Sequence, residues 1–191
     1  MDDTVFRGKI ERYHKQWLGN ALWVPGNGHL GIDLLSYTDL YEDASYSEDF
    51  AIEFKSKMVR YPQQFAVNAD QVNDFPKEYP GRDFYWAFMS YSFSKKVKEV
   101  SDTEDLEALV TQREVWCMPW NWIRKFPISK PKKSGPFRYV PKKTLPNPNK
   151  MTIFEEEKGR IYVQKNSTLE SHLINRALIL GEEEKYFEKD S

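Results

Sequence analysis

The segment HLGIDLLSYTDLYEDASYSEDFAIEFKSKMV, His29 to Val59, ends in ten residues, Phe50 to Val59, that alternate as a strand does. Residues two apart on a strand share a face. Glu53, Lys55 and Lys57 therefore project one way, and Ile52 and Phe54 project the other way, towards a core. A carboxylate and two ammoniums on one strand face, with apolar residues behind them, call for a reason. Upstream, Asp33 sits in Gly31-Ile32-Asp33-Leu34-Leu35, where Ile32 and Leu34 can anchor a second short strand. If the two strands pair, Asp33 comes within a few ångströms of Glu53. Two carboxylates so placed repel unless a divalent cation lies between them.

Around this segment the charge is segregated. The chain has 191 residues and a net charge of -1, yet Gly31 to Phe50 carries six acids and no Lys or Arg. Val115 to Phe154 carries nine Lys and Arg and no acid, and Glu182 to Asp190 is acidic again. Blocks of opposite sign speak of partners more directly than the mean does. Hydrophobic residues make up 40% and aromatics 15%, enough for a packed core despite a mean hydropathy of -0.72, so wholesale disorder is excluded. The length suits a single domain, residues 1–191. A lone cysteine, Cys117, excludes an intramolecular disulfide framework and a cysteine-rich zinc site. No apolar run reaches the roughly 18 residues a membrane span needs, and the first residues, MDDTVFRGK, lack a signal-peptide pattern. The expectation is a soluble, cytoplasmic protein with no membrane partner.

Helical and strand periods fill in the rest. Val5, Ile10, Tyr13 and Trp17 lie at near-helical spacing in residues 3–18. Val24 to His29 is a turn, Val67 to Phe75 holds a short helix started by Asn68, and Lys77 to Asp83 is another turn. Phe84 to Phe93 is an aromatic-rich apolar run of strand length, expected at the centre of a sheet. Ser101 with Glu104, and Ser167 with Glu170, have the spacing of helix capping boxes. Arg113 to Trp120 and Gly159 to Lys165 read as strands. Arg124 to Lys150 holds six prolines, which forbid a regular helix or central strand. Mixed helices and strands give an α/β fold: a mixed central sheet flanked by helices, with residues 124–150 as an irregular basic proline-rich arm.

A pair of carboxylates, a backbone carbonyl and several waters make the site Mg²⁺ prefers, and a bound metal can lower the pKa of water and stabilise charge on a phosphoryl oxygen. Lys55 is then placed to orient or deprotonate that water, or to stabilise the pentavalent phosphate. Gly31-Ile32-Asp33, nineteen intervening residues, and Glu53-Phe54-Lys55 in an apolar strand resemble the motif of the PD-(D/E)xK nuclease superfamily, most closely its type II restriction endonucleases. The resemblance covers about residues 1–95, with Ile32 where proline is common. It implies a restriction-endonuclease-like fold. It further implies that Asp33, Glu53 and the Phe54 carbonyl bind Mg²⁺, with Mn²⁺ as a substitute, that Lys55 is catalytic, and that Glu11 is an auxiliary ligand. Asp39, Glu42, Asp43, Glu48 and Asp49 are alternatives to Asp33 as ligand. The plain alternative is a solvated strand face on which Glu53 and Lys55 do no chemistry.

In the basic arm, Arg124, Lys125, Lys130, Lys132, Lys133, Arg138, Lys142 and Lys143 alternate with aromatics, a pattern that can neutralise phosphates along DNA. Trp116, Trp120 and Trp122 are core residues or base-stacking platforms. Gln71 and Asn68 follow the Glu-x-Lys strand, where the resemblance implies polar residues near DNA. His14, His29 and His172 have no zinc-ligand spacing. The expected activity is Mg²⁺-dependent hydrolysis of double-stranded DNA by a homodimer, since one site cuts one strand. A junction nuclease and a non-catalytic nucleic-acid-binding protein on the same fold are the rivals.

Overall fold

The structure is a computed structural model that describes residues 3–22, 32–35, 50–101, 103–129 and 135–181. Lys130, Lys132, Lys133, His29, the turn before it, the acids from Asp39 to Asp49 and the acidic tail lie outside these residues. The described chain is mixed α/β. A six-stranded sheet runs in the order β1-β2-β4-β5-β8-β7, and a separate two-stranded ribbon pairs β3 with β6. The strands are β1 (Leu34–Leu35), β2 (Phe50–Met58), β3 (Gln64–Asn68), β4 (Asp83–Phe93), β5 (Val110–Pro119), β6 (Phe137–Pro141), β7 (Met151–Glu156) and β8 (Gly159–Gln164). The helices are α1 (Asp3–Ala21), α2 (Gln71–Glu78), the four-residue α3 (Leu106–Leu109) and α4 (Thr168–Leu180). No described helix is long and apolar enough to cross a membrane.

Strand alternation sends side chains to two apolar layers. Ile52, Phe54, Tyr85, Ala87, Met89, Val115, Cys117, Ile161 and Val163 form one layer with Phe6, Ile10 and Leu18 of α1 and Leu169 and Leu173 of α4. Ala51, Trp86, Phe88, Trp116, Met118 and Tyr162 form the other, under Val72 and Phe75 of α2 and Phe65, Val67 and Val140 of the ribbon. The aromatic run of β4 is central, parallel to β2 and antiparallel to β5. Its second layer is a stack: the Trp86 and Trp120 rings lie 4.0 Å apart and 7° from parallel. Both indoles are satisfied, Trp86 donating to the Trp120 carbonyl and Trp120 to that of Val72. Trp116 and Trp120 are therefore core residues and offer no face to a base.

Several local expectations shift. The buried stripe of α1 is Phe6, Ile10, His14 and Leu18, while Val5 is 48% exposed. His14 fits this stripe as a ring: it meets Tyr91 edge to face at 4.5 Å, and burial, aided by Arg113, pushes its pKa down to about 3, so it packs neutral. Asn68 does not start α2. Its side chain accepts from the Asp70 amide, and the helix begins after Asp70. Ser101 and Glu104 do bond, amide to carboxylate, but α3 begins after Asp105, whose side chain caps the Glu107 amide. A short polar residue followed by an acid makes the same local bond in a turn as at a helix end. At Ser167 the N-cap holds, with the Ser167 side chain accepting from the Glu170 amide, but the box is not closed: the Ser167 amide donates to the Gln164 carbonyl and the Glu170 carboxylate accepts from the Asn166 amide instead. β3, β6 and β7 are strands that residue pattern alone did not mark; β6 falls within the stretch read as irregular, where it pairs with β3 in a ribbon outside the central sheet.

Candidate active site

The Leu34↔Ile52 and Leu35↔Ala51 pairs set the register of β1 on β2, which places Asp33 across from Glu53. At Asp33 the backbone ladder ends and the side chain takes over: Asp33 Oδ2 accepts from the Phe54 amide at 2.8 Å. Ile32, 1% exposed, anchors this bend in the second layer. Glu53 stands opposite Trp86 and Lys55 opposite Phe88 in the parallel ladder, so both rise from the layer rich in aromatics. Glu53 is not solvated, being only 3% exposed, while Lys55 keeps a quarter of its side chain exposed.

Two ammoniums meet the two carboxylates. Lys55 Nζ lies 2.5 Å from Glu53 Oε1, and Lys15 Nζ lies 2.5 Å from Asp33 Oδ1. Gln71, from the start of α2, points its amide at the same Glu53 oxygen at 3.5 Å. Glu53 Oε2 is buried and has no hydrogen-bond partner among the described residues. Burial raises the Glu53 pKa to about 7. Lys55 works against that rise and the neighbouring Asp33 adds to it. A carboxylate so placed is costly to ionise without a further positive charge.

Glu11, one turn before Lys15 on α1, pairs with it at 2.8 Å, so it reaches Asp33 through the lysine. Lys15 was not singled out from sequence. Its helical spacing from Glu11 was visible, but its approach to Asp33 depends on how α1 lies against the sheet. Glu11, Lys55, Lys57, Gln64 and Tyr139 line a cleft of about 480 Å³ between β2 and the ribbon. Gln63 holds the turn that shapes it, donating to the carbonyls of Met58 and Tyr61 and accepting from Ser90.

The described part of the basic segment is tied to the rest of the fold. Arg138 donates to the carbonyls of Arg124 and Phe126. Arg124 bonds the side chains of Asn121 and Asn73. Lys142 pairs with Glu114 at 2.8 Å, and Lys125 lies 3.9 Å above the Trp122 ring. The acid-free block was acid-free only along the chain, since β5 supplies Glu114 from across the fold. Lys143 is exposed.

As for a cation, no group of three or more His, Cys, Asp or Glu gathers among the described residues; the donors present are the two hard carboxylates, whose oxygens are engaged by Lys15, Lys55 and the Phe54 amide except for the buried Glu53 Oε2. Compared with known proteins, the chain matches no family model, no curated protein and no solved structure.

Proposed function

We propose that the chain is a PD-(D/E)xK-type, Mg²⁺-dependent nuclease that hydrolyses phosphodiester bonds in DNA, with Mn²⁺ as an alternative cation. The observation that carries this reading is the facing pair Asp33 and Glu53, with Lys55 on the same strand face and an orphaned Glu53 oxygen beneath. Asp33, Glu53 and the Phe54 carbonyl would hold the ion. The ion supplies an acidified water and a counter-charge for the attacked phosphate.

The chain's own groups do the rest. Gln71 and Lys55 hold the Glu53 head in place. Lys55, with a quarter of its side chain exposed to the cleft, balances the charge that builds on the phosphate as water adds and the P–O bond breaks. Lys15 neutralises Asp33 in the resting protein, so the pair of acids is tolerated before a cation arrives. Two copies of the chain would be required for a double-strand break, and a homodimer belongs to the restriction-type form of the proposal.

The test is incubation of the protein and of Lys55→Ala with plasmid and branched DNA, in Mg²⁺ and in EDTA. Cleavage by the wild type in Mg²⁺ alone is expected, with discrete fragments for a restriction activity and branch-directed cuts for a junction nuclease. Lys55→Ala should bind DNA and cut it at less than about a tenth of the wild-type rate, because its role arises in the transition state. Retardation without cutting by the wild type would leave only a binding protein.

A further inference from the structure

The outer face of the β3–β6 ribbon carries chemistry that the carboxylate site does not use. Alternation buries Phe65, Val67 and Val140 and turns Gln64, Ala66, Phe137 and Tyr139 outward. Phe137 and Tyr139 are partly exposed, with ring centroids 6.4 Å apart. Their cross-strand partners are Asn68 and Ala66, too small to cover an aromatic face. Tyr139 is also a wall of the cleft whose opposite side holds Lys55 and Lys57.

We propose that this ribbon is a stacking platform for an unpaired nucleic-acid strand, with Phe137 and Tyr139 each taking a base and Lys57 taking a phosphate on the way to Lys55. The proposal rests on the nuclease reading for what happens at the end of the path. The ring spacing argues for a single strand. Stacked bases rise about 3.4 Å along one strand of a duplex, so rings 6.4 Å apart suit bases already separated from each other. Ring faces accept any base, and cations beside them follow the backbone, which is how sequence-tolerant single-strand sites are built. The substrate so implied is single-stranded or branched, with an unpaired strand entering the cleft.

Fluorescence anisotropy in EDTA, where a metal-dependent nuclease cannot cut, gives the affinity for labelled oligothymidylate, oligouridylate and a duplex of equal length. The wild type should bind the single strands more tightly than the duplex, and the two homopolymers separate DNA from RNA preference. Phe137→Leu and Tyr139→Leu keep apolar volume and lose the flat face, and each should weaken single-strand binding by about 5-fold or more. Tyr139→Trp should bind single strands more tightly than the wild type, because the larger ring stacks better, whereas a tyrosine with a purely structural role would leave the affinity unchanged or lower it. Equal or tighter binding of the duplex, or leucine variants that bind as the wild type does, overturns the platform. Cleavage in Mg²⁺ is measured alongside. A wild type that stacks single strands and never cuts retains the platform and refutes the nuclease, while one that cuts with leucine variants of unchanged affinity does the reverse.

Discussion

Replacing Glu53 by glutamine removes an ionisable group from a site that is 3% exposed and leaves the shape nearly unchanged. Burial raises the native carboxyl from 4.5 to about 7. A raised pKa means that the folded protein holds the proton more firmly than the unfolded chain does. The stability this provides is complete below about pH 4.5 and is lost as pH climbs through 7. At 1.36 kcal/mol per unit, the loss is of the order of 3 kcal/mol across that window. The attraction of Lys55 is already contained in the native pKa, so it is not added again. Glutamine has no such loss. It does bring an amide group to the place of the unpartnered Oε2, at a cost of about 1 to 3 kcal/mol that hardly varies with pH. The quantity to follow is therefore the difference between the two proteins against pH, from urea unfolding in EDTA between pH 4.5 and 8.5. It should move in favour of Glu53→Gln by about 3 kcal/mol between the ends and flatten above pH 8. A difference independent of pH would refute the reasoning, since it would mean that Glu53 ionises in the fold as readily as in water. Adding Mg²⁺ at pH 8 should restore stability to the wild type and not to the variant, because only the ionised carboxylate gains from the ion.

Trp120→Ala removes the ring stacked on Trp86 and the indole bond to Val72, and should cost about 3 to 5 kcal/mol in denaturant unfolding. Arg138→Ala, chosen from sequence as a DNA contact, should instead destabilise the fold by about 2 kcal/mol through the carbonyls of Arg124 and Phe126. An unchanged unfolding midpoint would return Arg138 to the DNA-contact list. Lys143→Ala should lower the slope of log affinity against log salt by about 0.9. Lys142→Ala should leave that slope unaltered, because its ammonium is already paired with Glu114. Equal slopes for the two variants would show that Lys142 leaves Glu114 for a phosphate.

What the sequence determined by itself is what depends on short-range pattern. Period-two alternation marked β2 and put Glu53 and Lys55 on one face; the apolar length of Phe84–Phe93 marked a central strand; Ser167 and Glu170 marked the start of α4. The approach of Asp33 to Glu53 was legible too, because a single assumed strand pairing fixes it. What only the tertiary structure decided is everything that needed a distant neighbour. Burial of Glu53 comes from α2 and the aromatic layer around Trp86, so its high pKa has no signature in Glu-Phe-Lys. Lys15 meets Asp33 because α1 packs across the sheet on Phe6, Ile10 and Leu18. The partners of Lys142 and Arg138 were not legible, because Glu114 lies outside the basic segment and the carbonyls of Arg124 and Phe126 depend on how that segment turns back on itself. Charge and hydrogen bonding act over a few ångströms of space, and a sequence orders only the ångströms along the backbone.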